Sequence, residues 1–241
     1  MPSFGACPVR ARNEAFVVRH YESAYGVPVV RGSGRARAHA LNDAARTAAR
    51  QHPERDVLVL CDNDLIPDPV TFPAAVAMAD SVSGVTPHAI NRNLSEASTV
   101  EFMLAGQTRE FDDTPKGARS FVVITRHAYA LANGLDEMFI GWGPEDASFI
   151  HSLTKQVGPM LHLDGVRLHL WHPTDPTKQN QKMLRMNRAR FRRYARFPPE
   201  RVAAMAREYG RWDDGAARRE ALEIERGDRV EEHAGHPHAL A

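Results

Sequence analysis

Three short stretches concentrate side chains able to bind ions or move protons. The first is VLVLCDNDLIP, residues 57–67, where an apolar run stops at Asp62-Asn63-Asp64 and resumes with Leu65, Ile66 and Pro67. Two carboxylates at i and i+2 past a strand can face one hard cation if the chain turns, and a divalent ion with open positions can hold a diphosphate. Acidic pairs also form turns, so this stretch alone leaves both readings open. The second is MFIGWGPED, residues 138–146. Gly141 and Gly143 free the backbone around Trp142 so that its indole can project into a cleft as a stacking platform, and Pro144 fixes the chain before Glu145 and Asp146. Capping the following helix is the competing role for Asp146, and core burial the competing role for Trp142. The third is HLWHP, residues 169–173. In a continuous strand His169 and His172 point to opposite faces, whereas a bend before Pro173 brings both to one metal, and imidazole suits manganese or zinc. A zinc site of His162, His169 and His172 is the competing set, without cysteine or H-E-x-x-H support.

These residues need a scaffold, and the first ninety positions alternate strand and helix signals, as an α/β fold with a parallel sheet does. Strands are expected at residues 4–9, 27–30 and 56–61, with helices at 14–25, 35–51 and 70–80. The 56–61 strand is apolar without alternation, as one covered on both faces should be. Asp62 and Asp64 then fall just past its carboxyl end, where open α/β sheets place ligands. Residues 88–118 read as loops with a strand near 100–104. Strands follow at 120–125 and 166–171, helices at 127–133 and 146–156. Two helical stretches, 178–196 and on to about 225, are separated by Pro198-Pro199, and the tail 226–241 reads as disordered.

Composition narrows the function classes. The 241 residues carry 31 basic and 30 acidic side chains, a net charge of +1, so no global field draws the chain to nucleic acid or an anionic membrane. Only four basic residues are lysines, so arginine-rich runs carry less weight. Two cysteines, Cys7 and Cys61, make no disulfide framework, and a reducing cytoplasm is the expected compartment. There is no leader-like start, and no run approaches the roughly 18 apolar residues of a membrane span.

Taken in order, five segments resemble the β-1,4-galactosyltransferase family of nucleotide-sugar-dependent glycosyltransferases. PVRAR (Pro8 to Arg12) is similar to the family's P-F-R-x-R, and RAHALN (Arg37 to Asn42) to R-A-K-L-L-N. DNDLIP differs from D-V-D-L-I-P only at Asn63, GWGPED resembles W-G-W-G-G-E-D, and HLWH resembles an M-x-x-H metal segment with His169 in the methionine's place. A related GalNAc-transferase family reads D-x-H at the metal, so the D-x-D here favours the former.

The resemblance implies a GT-A fold: a Rossmann-like mixed sheet flanked by helices, with a C-terminal helical extension. It implies a transferase domain over residues 1–175, with the nucleotide-sugar part at 1–90 and the acceptor and catalytic part at 91–175. A basic helical extension follows at 176–225. It implies metal ligands Asp64, His172 and His169 for a divalent cation, Mn²⁺ first and Mg²⁺ second. The nucleotide-sugar side would be Pro8, Arg10, Arg12, Arg37, Asp62, Asn63, Trp142 and Gly143. Glu145 would orient the acceptor, and Asp146 would be the general base. The expected reaction moves a hexose or N-acetylhexosamine from a nucleotide sugar, UDP first, to a hydroxyl on a glycan, a protein or modified DNA, with inversion. Eukaryotic members are membrane-tethered, so a chain with no anchor signal fits a bacterial or bacteriophage version in the cytoplasm.

Three other readings compete. A retaining transferase on the same fold would share the donor cleft, and a nuclease using Asp62, Asp64, Glu145 and Asp146 lacks a catalytic lysine or histidine pattern. The third rests on residues 178–201, nine basic against one acidic and interleaved with Phe191, Tyr194 and Phe197, which suit a nucleic-acid surface. A solvated helix face whose aromatics pack inward explains the same spacing.

Overall fold

The structure, a computed structural model, describes residues 7–34, 36–115, 120–174 and 180–209. Among them the chain forms eight helices and two four-stranded mixed sheets, an α/β architecture.

The N-terminal part departs from the expected parallel sheet. Pro8 stands at the first position of helix α1 (Pro8–Tyr25), where its missing N–H costs nothing, so Pro8 and Val9 open a helix instead of closing a strand. Residues 4–6 of that expected strand lie outside the described residues. Helix α1 ends at Gly26, left-handed at φ 61°. Residues 27–30 then run without a ladder, and Pro28, with no N–H to donate, disfavours one. Helix α2 (Arg37–Gln51) buries Ala38, Leu41, Ala45 and Ala49 on one stripe.

Strand β1 (Val57–Leu60) therefore pairs antiparallel, with β6 (Val122–Thr125). Its lack of alternation has the expected cause: Leu58 and Leu60 enter one core cluster with α2, while Val57 and Val59 pack on a second cluster that includes Val17, Tyr21 and Phe121. The first sheet has the order β1-β6-β3-β7, with β3 at Val85–Thr86 and β7 at Leu161–His162. The second has the order β2-β8-β4-β5, from Leu65–Ile66, Val166–His169, Ile90–Leu94 and Phe111–Pro115.

Helix α3 (Thr71–Met78) continues into a 3-10 turn at Ala79–Ser81. The strand expected near 100–104 is instead part of α4 (Glu96–Ala105). Ser95 accepts from the Ser98 N–H at 3.1 Å and Gly106 closes the far end, so the caps override the apolar run Val100–Leu104. Helices α5 (Arg126–Leu131) and α6 (Glu145–Gln156) fall near their expected places. Helices α7 (Gln181–Arg196) and α8 (Pro199–Tyr209) pack on α6. Phe139, Tyr194, Val202 and Met205 form the cluster between them, and Lys155 donates to the carbonyls of Tyr194, Ala195 and Phe197. The expected helix beyond residue 209 and the expected tail at 226–241 lie outside the described residues. No helix among the described residues is long and apolar enough to cross a membrane.

Candidate active site

The short β2–β8 ladder builds the first half of the site. Leu65 is registered with His169, and the Leu170 N–H donates to the Asp64 carbonyl at 2.9 Å, which carries Asp64 across to a segment a hundred residues away. Strand β8 stops at His169, so the chain is free to bend. The Trp171 N–H donates to Thr99 Oγ1 (2.8 Å), and the Trp171 carbonyl accepts from Asn13 Nδ2 (2.9 Å). That bend puts both histidines beside one carboxylate. Asp64 Oδ2 lies 3.1 Å from His172 Nε2 and 3.7 Å from His169 Nε2, and one ligand atom from each residue fits within a 4.8 Å group. His162 sits on β7 in the other sheet and outside this group, which removes the all-histidine set.

The chemistry of these three donors fits a divalent metal. His172 Nδ1 is 2.8 Å from the Pro173 carbonyl, which can only accept, so Nδ1 carries a hydrogen and Nε2 is the ring atom turned toward Asp64. His169 Nδ1 meets Asn93 Oδ1 at 3.1 Å with the same consequence. Two imidazoles and one carboxylate suit Mn²⁺ or Zn²⁺ more than Ca²⁺. Burial alone would raise the pKa of Asp64, but the hydrogen bonding and charge of the two imidazoles outweigh it and hold the carboxylate well below the usual range.

The second half centres on Arg37, whose side chain is 12% exposed. Its Nε meets Asp62 Oδ1 at 2.5 Å, its Nη1 pairs with Asp146 Oδ1, and Glu145 Oε1 stands 3.5 Å from Nη1. Expected as a nucleotide contact, Arg37 is engaged with three carboxylates. Asn42, one turn further along α2, seats the helix: its amide donates to the Leu135 carbonyl and accepts from the Leu135 N–H, both at 2.9 Å. Glu145 and Asp146 occupy the first turn of α6, where the helix dipole favours negative charge. Neither caps the helix, since the cap position is Pro144 with no side-chain hydrogen bond. Burial, reinforced by the charge of Asp146, pushes the Glu145 carboxyl up to about 8, and its buried Oε2 has no hydrogen-bond partner. Burial also raises Asp62 despite Arg37.

The remaining expected residues are spread around these halves. Pro8 begins α1, Arg10 Nη2 reaches the Pro173 carbonyl at 3.4 Å, and Arg12 is exposed on the same first turns. Asn63 is buried and donates to Glu14 Oε2 at 2.9 Å, facing α1. Trp142 is 47% exposed. A Cβ on Gly143 would come within 2.8 Å of Asn187 Cβ, so glycine is what lets the loop lie on α7. Cys61 is buried, and burial pushes its thiol up to about 11, which leaves it inert at neutral pH. A cavity of about 320 Å³ bounded by Val27, Val30, Leu41, Ala45, Leu58 and Val76 is lined by none of these site residues.

Sequence reasoning missed Asn91, Asn93 and Arg167. Arg167 is 2% exposed, donates to Asn91 Oδ1 (2.8 Å) and Ser120 Oγ (2.9 Å), and burial pushes it down to about 10 against the pull of Asp62, Asp146 and Asp64. The available signal was polar residues at period two, Asn91 with Asn93 and Arg167 with His169, each pair on one strand face. The chain matches no protein-family model and no curated protein.

Proposed function

We propose that the chain is a metal-dependent GT-A glycosyltransferase, similar to the β-1,4-galactosyltransferases, that transfers a hexose or N-acetylhexosamine from a nucleoside diphosphate sugar to a hydroxyl with inversion. The observation that carries this reading is the cluster of Asp64, His169 and His172, in which Asp64 lies two residues after Asp62, one of the three carboxylates gathered by Arg37. A divalent cation held by those three residues, Mn²⁺ first, would neutralise charge on the departing diphosphate. The bond from the anomeric carbon to the diphosphate oxygen breaks, the bond to the acceptor oxygen forms on the opposite face, and Asp146 takes the acceptor's proton. Arg37 holds the Asp146 carboxylate in one orientation. Glu145, protonated near neutral pH, can donate to the acceptor, and exposed Trp142 offers a flat face to a sugar ring. Arg10 and Arg12, on the turns beside Pro173, suit the nucleotide phosphates.

The test is nucleoside diphosphate release from a panel of nucleotide sugars, with and without Mn²⁺ and with water as the fallback acceptor. Slow release from one donor that needs metal and disappears in Asp64→Ala supports the reading. No release together with no donor binding by calorimetry overturns it.

A second reading has its own observation. Lys182, Arg185, Arg188, Arg192, Arg193 and Arg196 are exposed on α7, a helix with no acidic residue. Among the described residues the one α7 cation in an ion pair is Arg190, with Asp136. Such a face suits the phosphates of a nucleic acid, as partner or as acceptor.

A further inference from the structure

His169 is an imidazole, and an imidazole can bind a metal through Nε2 only if its proton sits on Nδ1. Whatever fixes that proton fixes the site. Strands β4 and β8 run parallel with Asn91 registered to Arg167 and Asn93 to His169, and the four side chains form one hydrogen-bonded row. Arg167 Nε donates to Asn91 Oδ1 at 2.8 Å, Asn91 Nδ2 donates to Asn93 Oδ1 at 2.6 Å, and Asn93 Oδ1 faces His169 Nδ1 at 3.1 Å. Asn93 Nδ2 is occupied on the other side by Thr114 Oγ1 at 3.0 Å.

The row has one sense. A guanidinium has no acceptor, so Arg167 dictates that the near atom of the Asn91 amide is its oxygen and the far one its nitrogen. Asn93 must then present oxygen to Asn91 and to His169, and His169 must answer with an Nδ1 hydrogen. Arg167 is well placed to dictate: it is buried, and Asn91 and Ser120 are its hydrogen-bond partners. His172 needs no such row, because the Pro173 carbonyl does the same work.

We propose that Asn93 is a positioning residue that locks His169 in the Nδ1–H form, with its orientation set through Asn91 by the buried cation of Arg167, so that Nε2 is ready for a divalent metal. The inference rests on the metal-binding reading of the Asp64 cluster. Partners of this kind on a metal-ligating histidine are worth about 10–100-fold in metal affinity.

The experiment compares the full chain with Asn93→Leu and Asn93→Asp. Mn²⁺ alone is titrated by electron paramagnetic resonance, the His169 tautomer is read from imidazole ¹⁵N shifts without metal, and metal-free melting temperature checks folding. Asn93→Leu should mix the two tautomers and bind Mn²⁺ about 10–100-fold more weakly. Asn93→Asp, which keeps an acceptor, should restore the Nδ1–H form and the affinity. Wild-type affinity and a single tautomer in Asn93→Leu would overturn the inference while leaving the metal site standing. If the wild-type chain bound no Mn²⁺, the metal reading itself would fall.

Discussion

Asp146 and Glu145 are neighbours with opposite burdens. Asp146 is about a quarter exposed and paired with Arg37, whereas Glu145 is 8% exposed and has one oxygen with no hydrogen-bond partner. Asp146→Asn keeps the shape and an oxygen for Arg37 but cannot take a proton. Turnover of the donor found active should fall about 10²–10⁴-fold, and retention of more than a few per cent would remove Asp146 as the base. Glu145 couples to stability. Its folded value, about 8, lies above the ordinary 4.5, so the folded chain holds the extra proton and loses stability as pH rises through that window. Glu145→Gln should melt like the wild type below that window. By pH 9 it should melt higher, each kcal/mol appearing as about 2–4 °C for a chain of this size. Melting curves that stay parallel from acid to alkaline pH would show that Glu145 carries no such burden.

Among elements, the loop bearing Trp142 depends on a neighbour far along the chain. Buried Asn187 of α7 donates to the carbonyls of Ile140 and Trp142, each at 3.0 Å, and Gly143 permits the approach. Lys155 in turn clamps the far end of α7 through three carbonyls. Asn187→Ala removes the side-chain donor from both loop carbonyls, a lost hydrogen bond being worth about 0.5–1.5 kcal/mol each. The expected outcome is a lower melting temperature and an acceptor KM that rises more than the donor KM. Equal changes in both constants would separate the loop from acceptor binding.

For the molecule as a whole, a net charge of +1 conceals an uneven distribution. Asp62, Asp64, Glu145 and Asp146 converge at the site, and the charged residues on the exposed face of α7 are all basic. If that face reads phosphate, duplex DNA should bind at low salt and weaken with a log-log slope of about 0.9 per phosphate neutralised. Charge reversal at Arg185 and Arg188 should flatten the slope. No affinity at low salt would leave α7 as a solvated face packed inward through Leu184, Asn187 and Tyr194.

What the sequence determined by itself was local. Apolar runs read as strands at 56–61 and 120–125, residues 35–51 read as a helix, and the pairs Asp62 with Asp64 and His169 with His172 stood out by type and spacing, while their union as Asp64, His169 and His172 came from the family resemblance. Caps and prolines misled where they competed with apolar runs, as Pro8 did at the start of α1 and Ser95 did before α4. The polar strand β4 was missed because its asparagines face the site instead of an apolar core. Only the tertiary structure decided which carboxylate meets which cation, because those contacts join residues tens to a hundred positions apart and no periodicity encodes them. Arg37 was expected as a nucleotide contact from its motif, and its gathering of Asp62, Glu145 and Asp146 emerged only from the structure. The row from Arg167 to His169 arises only once β4 and β8 lie in parallel register.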